Sequence, residues 1–99
     1  MTSKILVYWR DIPSQVIVKR GRKKGKAQLS HRFQDAIDRA AMRAGKGGSD
    51  AYIEEWRRVS LPCAEDGELD DIAMREAMAL EKSITDEQLK ELIRNHGQA

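Results

Sequence analysis

The sequence predicts a single α+β domain over residues 1–99, with an N-terminal antiparallel β-hairpin packed against three to four helices. Two observations support this prediction. Residues 1–20 contain two short runs of β-branched and aromatic residues, whereas apolar residues from residue 29 onward recur at helical spacing. A chain of 99 residues is long enough for one hydrophobic core, so we expect one domain.

The hairpin is predicted from two strands and the turn between them. Residues 5–9 and residues 15–20 are rich in β-branched or aromatic side chains. Between them, Pro13 fixes its own φ angle and biases the preceding residue away from helix, which favours a turn over residues 11–14. Both strands are apolar on two faces near their middles. We therefore expect a further strand or a helix on each side, and residues 59–63 are a candidate third strand.

A strongly basic segment follows the second strand. The sequence KRGRKKGK at residues 19–26 holds six cations in eight positions, together with two glycines. Because glycine interrupts regular structure, this composition predicts a mobile loop over residues 19–27. The fold does not need this density of positive charge, so a partner is most naturally expected here.

Helices are predicted over most of the remaining chain. The first begins after Ser30 as its N-cap and ends at the glycine-rich residues 45–48, and a short helix follows from residue 50 to about residue 57. A longer helix is expected from about residue 66 to residue 82. The last helix begins at the capping box that Thr85 opens.

Charge is divided unevenly along the chain. Residues 1–60 contain 14 Lys and Arg against 6 Asp and Glu, whereas residues 61–99 contain 4 against 10. The acidic helices can neutralise the basic half by docking on it, or the two poles can meet different partners. The sequence leaves both alternatives open.

Composition narrows the location and the chemistry. Cys63 is the single cysteine, so no disulfide within the chain is expected, and no apolar run approaches the roughly 20 residues of a membrane span. We therefore expect a cytoplasmic protein that does not bind a membrane. One cysteine and two scattered histidines give neither zinc-ligand spacing nor a Cys–His pair, so we expect no metal, no cofactor and no catalytic residue. The basic segment is not a phosphate-binding loop, because three residues rather than four separate Gly21 from Gly25.

The candidate binding residues are the cations of the basic segment and two Trp-Arg pairs. The cations suit an acidic protein partner, and nucleic acid is the alternative, although the aromatic signatures of RNA-binding domains are absent. The tryptophans either belong to the core, with each arginine paired to a carboxylate, or anchor a contact surface. The predicted binding residues are Lys19, Arg20, Arg22, Lys23, Lys24, Lys26, Trp9, Arg10, Trp56 and Arg57.

Three methionines lie off the apolar stripes of the predicted helices. Met42, Met74 and Met78 each point 140° or more away from the residues that define the stripe of their helix, at 100° per residue. Methionine suits adaptable contacts, so these positions indicate a homo-oligomer or partner interface. Burial of Met74 and Met78 beneath the last helix explains them equally well.

Three segments resemble a known family: YWRDIPSQVIVK at residues 8–19, RFQDAIDRAAMRAG at residues 32–45 and DAYIEEWRR at residues 50–58. They resemble the bacterial family of small "virulence factor" proteins, whose domain also occurs in conserved virulence factor C. The resemblance covers residues 4–63 and leaves residues 64–99 as an acidic helical C-terminal extension. It implies an accessory role, because larger members join the domain to HEAT-type repeats and an iron–sulfur scaffold-like segment, and small members sit beside one-carbon enzymes.

The sequence therefore predicts a non-enzymatic cytoplasmic accessory or adaptor protein that binds an acidic protein partner. The resemblance places this role in an enzyme complex of one-carbon or iron–sulfur metabolism. Two alternatives stay open: a small nucleic-acid-binding protein that uses residues 19–26, and a subunit that completes the active site of another enzyme.

Overall fold

The computed structural model describes residues 2–45, 48–63 and 67–98, which form a four-stranded antiparallel sheet and four helices. The α+β class is therefore confirmed. In chain order the elements are β1 (Thr2–Trp9), β2 (Ile12–Arg20), β3 (Lys23–Gln28), α1 (His31–Arg43), α2 (Ser49–Glu54), β4 (Trp56–Pro62), α3 (Leu69–Lys82) and α4 (Asp86–Arg94). Of the predicted boundaries, residues 46 and 47 of the glycine-rich stop and residue 66 lie outside the described residues.

The strands lie in the order β3-β2-β1-β4, so the predicted hairpin forms the middle of the sheet. The predicted third strand is confirmed as part of β4, which pairs with β1 from Trp56 opposite Trp9 to Pro62 opposite Ser3. The short helix was expected to run to about residue 57, but α2 ends at Glu54 and Trp56 already belongs to β4. Pairing with β1 overrides the helical spacing of the side chains at this point.

The prediction of a mobile basic loop at residues 19–27 is wrong. β2 continues through Arg20, the chain turns at Gly21 with a φ of 62°, and residues 23–28 return as β3. Strand alternation explains this: Gly25 and Ala27 face the helices, while Lys24 and Lys26 point the other way. The glycine that looked like a chain breaker is a strand residue.

The core lies between one face of the sheet and the helices α1 and α3, and α4 packs on α1. From β2, Val16 and Val18 are fully buried on this face, and from the acidic half Ile72 and Ala73 of α3 are fully buried in the same cluster. The cluster consists of Trp9, Ile12, Val16, Val18, Leu29, Phe33, Ala36, Ile37, Ala40, Ala41, Leu69, Ile72, Ala73, Ala77 and Leu89. The acidic helices thus supply part of this core cluster.

The start of α3 closes the outer edge of β3. The backbone of Leu69 and Asp70 lies directly against Gly25, so that a β-carbon at residue 25 would clash with it. One residue further along, the backbone N–H of Lys26 donates to the Asp70 carboxylate at 3.3 Å. This N–H at the edge of the sheet, which could otherwise hydrogen-bond to an added strand, is therefore satisfied within the chain.

The predicted helix caps are only partly present in the structure. The capping box at Thr85 is confirmed, since its hydroxyl accepts from the Gln88 backbone and the Gln88 side chain accepts from the Thr85 N–H. Ser30 occupies the predicted N-cap position of α1, but its side chain makes no capping hydrogen bond there. After α4, the carbonyl of Gly97 accepts from the Asp11 N–H at 2.8 Å, which ties the end of the chain to the β1–β2 turn.

Candidate functional site

The face of the sheet opposite α1 and α3 carries a patch of apolar side chains. Ile5 and Ile17 lie directly across from each other on β1 and β2, and Val7 lies two residues further along β1. Because successive strand residues alternate, these three point away from the buried Val16 and Val18, and none of them belongs to the core cluster. We call this surface the open face. Val7 is only 6% exposed, while Ile5 and Ile17 are half-buried.

Cations surround the apolar centre of the open face. Lys19 and Lys24 lie directly opposite each other on β2 and β3, Lys26 lies opposite Ile17, and Arg58 of β4 lies opposite Val7. These four cations, together with Ile5 and Ile17, line a shallow concavity of about 540 Å³. The open face is therefore an aliphatic floor with a positively charged rim.

The rim is not neutralised by the described part of the chain. None of the side chains of Lys19, Lys24, Lys26 and Arg58 forms an ion pair with a described residue. The carboxylate that borders the concavity, that of Asp70, already accepts from the backbone of β3. Like charges placed directly opposite each other in a sheet are destabilising, so the fold bears a cost here that an external anion would offset.

The acidic half does dock on the basic half, but elsewhere. Lys4, on the helix-facing side of β1, pairs with Glu76 of α3 at 3.0 Å. Arg32 of α1 pairs with Asp86 at 2.8 Å and also donates to the carbonyls of Glu81 and Ile84. These contacts hold α3 and α4 in place while they leave the rim of the open face unpaired.

Three of the predicted binding arginines are engaged in contacts within the fold. Arg10 has a φ of 53°, and its guanidinium lies 3.3 Å from the Glu55 carboxylate and donates to the His96 carbonyl. Arg57 donates to the Asp11 carboxylate and to the Arg10 carbonyl. Each of the two predicted Trp-Arg pairs thus has its arginine on a carboxylate.

Arg20 likewise serves the fold, since it donates to the hydroxyl of Thr2 and to the carbonyl of Gly67. Arg22 and Lys23, at the tip of the β2–β3 hairpin, are exposed and make no described ion pair. The predicted basic cluster therefore splits into a structural arginine, an exposed tip and the lysines of the open face.

The aromatic residues build the interior rather than a contact surface. Trp9 is fully buried, its indole N–H donates to the Tyr52 carbonyl at 2.9 Å, and its ring stacks on Tyr52. Trp56 is half-buried and meets the same Tyr52 ring edge-on. Trp9 consequently cannot anchor a partner, and the exposed part of Trp56 lies at the far end of β4.

The three methionines are exposed, at 74% for Met42, 58% for Met74 and 52% for Met78. α4 therefore does not cover Met74 and Met78, which leaves the interface interpretation as a prediction. They lie one turn apart on α3, which packs on the other face of the sheet from the open face.

Sequence reasoning missed Ile5, Ile17 and Arg58 as parts of the site, together with Gln15, which also lines the concavity. The signal was present, because apolar residues on both faces of two strands indicate two covered faces. The helices α1 and α3 cover one of them, and the two additional strands extend the sheet sideways instead of covering the other.

The described residues hold no group of three or more His, Cys, Asp or Glu side chains arranged to bind a metal ion. Within the same ranges, no helix is both long and apolar enough to cross a membrane. Cys63, half-buried directly after β4, is a free thiol.

Comparison with known proteins gives one match. No curated protein and no solved structure matches the chain. A family model described as "Virulence factor" matches residues 7–93, which takes in every strand at least in part and extends through α3 and most of α4, beyond the residues 4–63 of the sequence resemblance. Because this match covers most of the chain, the protein belongs to the virulence factor family.

Proposed function

We propose that the protein is a non-enzymatic accessory protein that binds an acidic protein partner through the open face. The observation that carries this proposal is the coincidence of uncovered apolar side chains and unpaired cations on one surface. Ile5 and Ile17 form the floor, beside the buried Val7, and Lys19, Lys24, Lys26 and Arg58 surround it.

The two features of the open face have separate roles in binding. Burial of apolar surface provides affinity, at about 25 cal/mol per Å² removed from water. The cations steer an acidic partner toward this face and reject a basic one, which affects the association rate more than the affinity. A partner with aliphatic residues flanked by Asp and Glu matches both features.

An aliphatic floor favours a protein over a nucleic acid. Proteins that bind single-stranded nucleic acid stack bases on exposed aromatic rings, and on a sheet such rings stand on the central strands. Here the central strands present Ile5 and Ile17 instead, while the Tyr8 ring is covered by the Arg57 guanidinium at 4.9 Å. Isoleucine and valine pack well against leucine-like side chains but do not stack on bases.

The test is partner capture with two charge-matched variants. The first variant, Lys24→Glu with Lys26→Glu, reverses two cations of the rim. The control, Lys82→Glu with Lys90→Glu, makes the same change in net charge at exposed lysines on α3 and α4. We expect the wild type and the control to retain the same protein, identified by mass spectrometry, and the rim variant to lose it.

Salt provides a second check on the proposed function. Retention through the rim should weaken as ionic strength rises from 50 to 300 mM, since screening shortens the reach of exposed charges. A partner that the rim variant retains as well as the wild type, with the same dependence on salt, would contradict the proposal.

Binding to nucleic acid is the alternative outcome, and filter retention of mixed RNA and DNA at two salt concentrations detects it. Four cations on phosphates would give a log–log salt slope of roughly −3 to −4 on duplex DNA. The absence of retention at low salt removes this alternative.

A further inference from the structure

We propose that the segment of the partner that occupies the open face is an acidic amphipathic α-helix that lies along β1 and β2. This inference rests on the proposed function, which it deepens by naming the structural element that binds. Three observations support it: the dimensions of the open face, the placement of its charges and the state of the two sheet edges.

The dimensions match about three turns of helix. From the Ser3–Lys19 pair to the Val7–Gln15 pair, the open face extends over five residues of β1 and of β2, about 14 Å along the strands. About ten helical residues span that length at 1.5 Å per residue. With its side chains a helix is about 10–12 Å wide, so a single helix covers the two central strands.

The charges lie where the flanks of such a helix would be. β3 and β4 are three strand spacings apart, about 14 Å, and they carry Lys24 and Lys26 on one side and Arg58 on the other. A helix with an apolar stripe toward Ile5 and Ile17 would direct residues on its two sides toward these cations. Glutamate or aspartate at those flanking positions would complete the match.

An extended peptide is a poorer fit to the same surface. A strand laid on a sheet face leaves its own N–H and C=O groups unpaired, whereas a helix satisfies them internally. Strands instead add at sheet edges, and the edge of β3 is blocked at Gly25 and Lys26 by α3.

The edge of β4 offers little to an added strand. The Cys63 N–H donates to the Thr2 carbonyl, and the Arg10 N–H donates to the Glu55 carbonyl. The backbone N–H and C=O groups of the odd-numbered residues of β4 therefore bond to β1, whereas those of the even-numbered residues point away from the sheet. Within β4 the outward N–H groups are therefore those of Trp56, Arg58 and Ser60, because Pro62 has none. Such a short ladder favours the face over the edge.

Three synthetic peptides of identical composition, built from leucine, alanine and glutamate, test the proposal. In the first, leucines at positions i, i+3, i+4 and i+7 form one helical stripe with glutamates on both flanks. The second alternates leucine and glutamate as a strand does, and the third is helical but has no stripe. Affinity is measured by fluorescence anisotropy, and the binding surface by changes in backbone amide chemical shifts.

We expect the striped helix to bind at least tenfold more tightly than either reordered peptide, with its largest shifts at Ile5, Val7 and Ile17. Ile17→Gln and Lys26→Glu should each weaken it severalfold, and Lys90→Glu should not. The second variant keeps the test decisive if Ile17→Gln fails to fold.

Three results would overturn the proposal. Tightest binding by the alternating peptide, with shifts along β4, would show strand addition. Equal binding of all three peptides would show charge attraction alone. Self-association of the protein that Lys26→Glu abolishes would place a second copy on the open face.

The failure of this inference is distinguishable from failure of the proposed function. If none of the peptides binds, yet the captured partner is lost with the rim variant and kept with its control, the helix is wrong and the open face still binds a protein. If the rim variant keeps the partner, the proposed function itself falls.

Discussion

Replacing Gly25 by alanine should destabilise the protein, because a β-carbon at this position would clash with the backbone of α3. Gly25 lies in β3 directly beneath the start of α3, and this contact keeps α3 on one face of the sheet and away from the other. The substitution therefore tests the arrangement on which the open face depends.

The size of the effect follows from the geometry. A β-carbon at residue 25 would lie 2.6 Å from the carbonyl oxygen of Leu69 and closer still to the Leu69 carbonyl carbon and the Asp70 nitrogen. Carbon atoms in contact prefer about 3.5–4.0 Å, so α3 must shift by about 1 Å, since backbone cannot rotate away as a side chain does. Overpacking of this kind costs about 1–3 kcal/mol, and the gain of about 0.4–1 kcal/mol from a less flexible unfolded chain offsets part of it.

We expect a net loss of about 1.3 kcal/mol in the free energy of unfolding, which lowers Tm by about 5–10 °C for a domain of this size. Urea denaturation followed by the fluorescence of Trp9 and Trp56 measures it. Gly48→Ala is the matched control, because a β-carbon there meets nothing within 4 Å, and it should change stability by less than about 1 kcal/mol. If Gly25→Ala is as stable as the wild type, the backbone of α3 does not press directly on β3 at residue 25.

Two further changes test the capping box and the opposed lysines. Thr85→Ala removes the hydroxyl that accepts from the Gln88 N–H and should cost about 1 kcal/mol by thermal unfolding, whereas Thr85→Ser should keep most of the stability; equal losses would mean that the cap contributes nothing. Lys24→Glu converts the opposed pair with Lys19 into one of opposite charge and should raise the free energy of unfolding by about 0.2–1 kcal/mol, an effect that 1 M salt largely removes. A destabilised Lys24→Glu variant would indicate that this lysine serves the fold.

The candidate site shows which of its residues the sequence pattern could identify. The run of cations at residues 19–26 includes Lys19, Lys24 and Lys26, whose side chains form no ion pair with a described residue. The same run also included Arg20, which hydrogen-bonds to Thr2 and to the Gly67 carbonyl within the fold. A linear sequence pattern does not show that these groups lie close to the Arg20 side chain. Arg58 was overlooked because it lies 32 residues beyond Lys26 along the chain, and only the β1–β4 pairing brings it to the same face.

The basic segment shows that local sequence rules can also predict the wrong conformation. Two glycines among six cations indicate a loop by every local rule, since glycine weakens a strand and like charges repel. The packing of α3 reverses this preference, because the close approach of its backbone needs a residue without a β-carbon at position 25. A long-range contact thus explains a residue that local propensity misreads.

The chain by itself determined the class of the domain, the central hairpin and the capping box of α4, because each depends on side chains close together in sequence. Which face of the sheet the helices cover, which cations are neutralised and which are left over depend on contacts between residues far apart, and only the tertiary structure decided them. Apolar residues on both sides of a strand indicate that both faces of the sheet are to be buried. The packing of α3 on β3 covers one face of the sheet and leaves Ile5 and Ile17 partly exposed on the other.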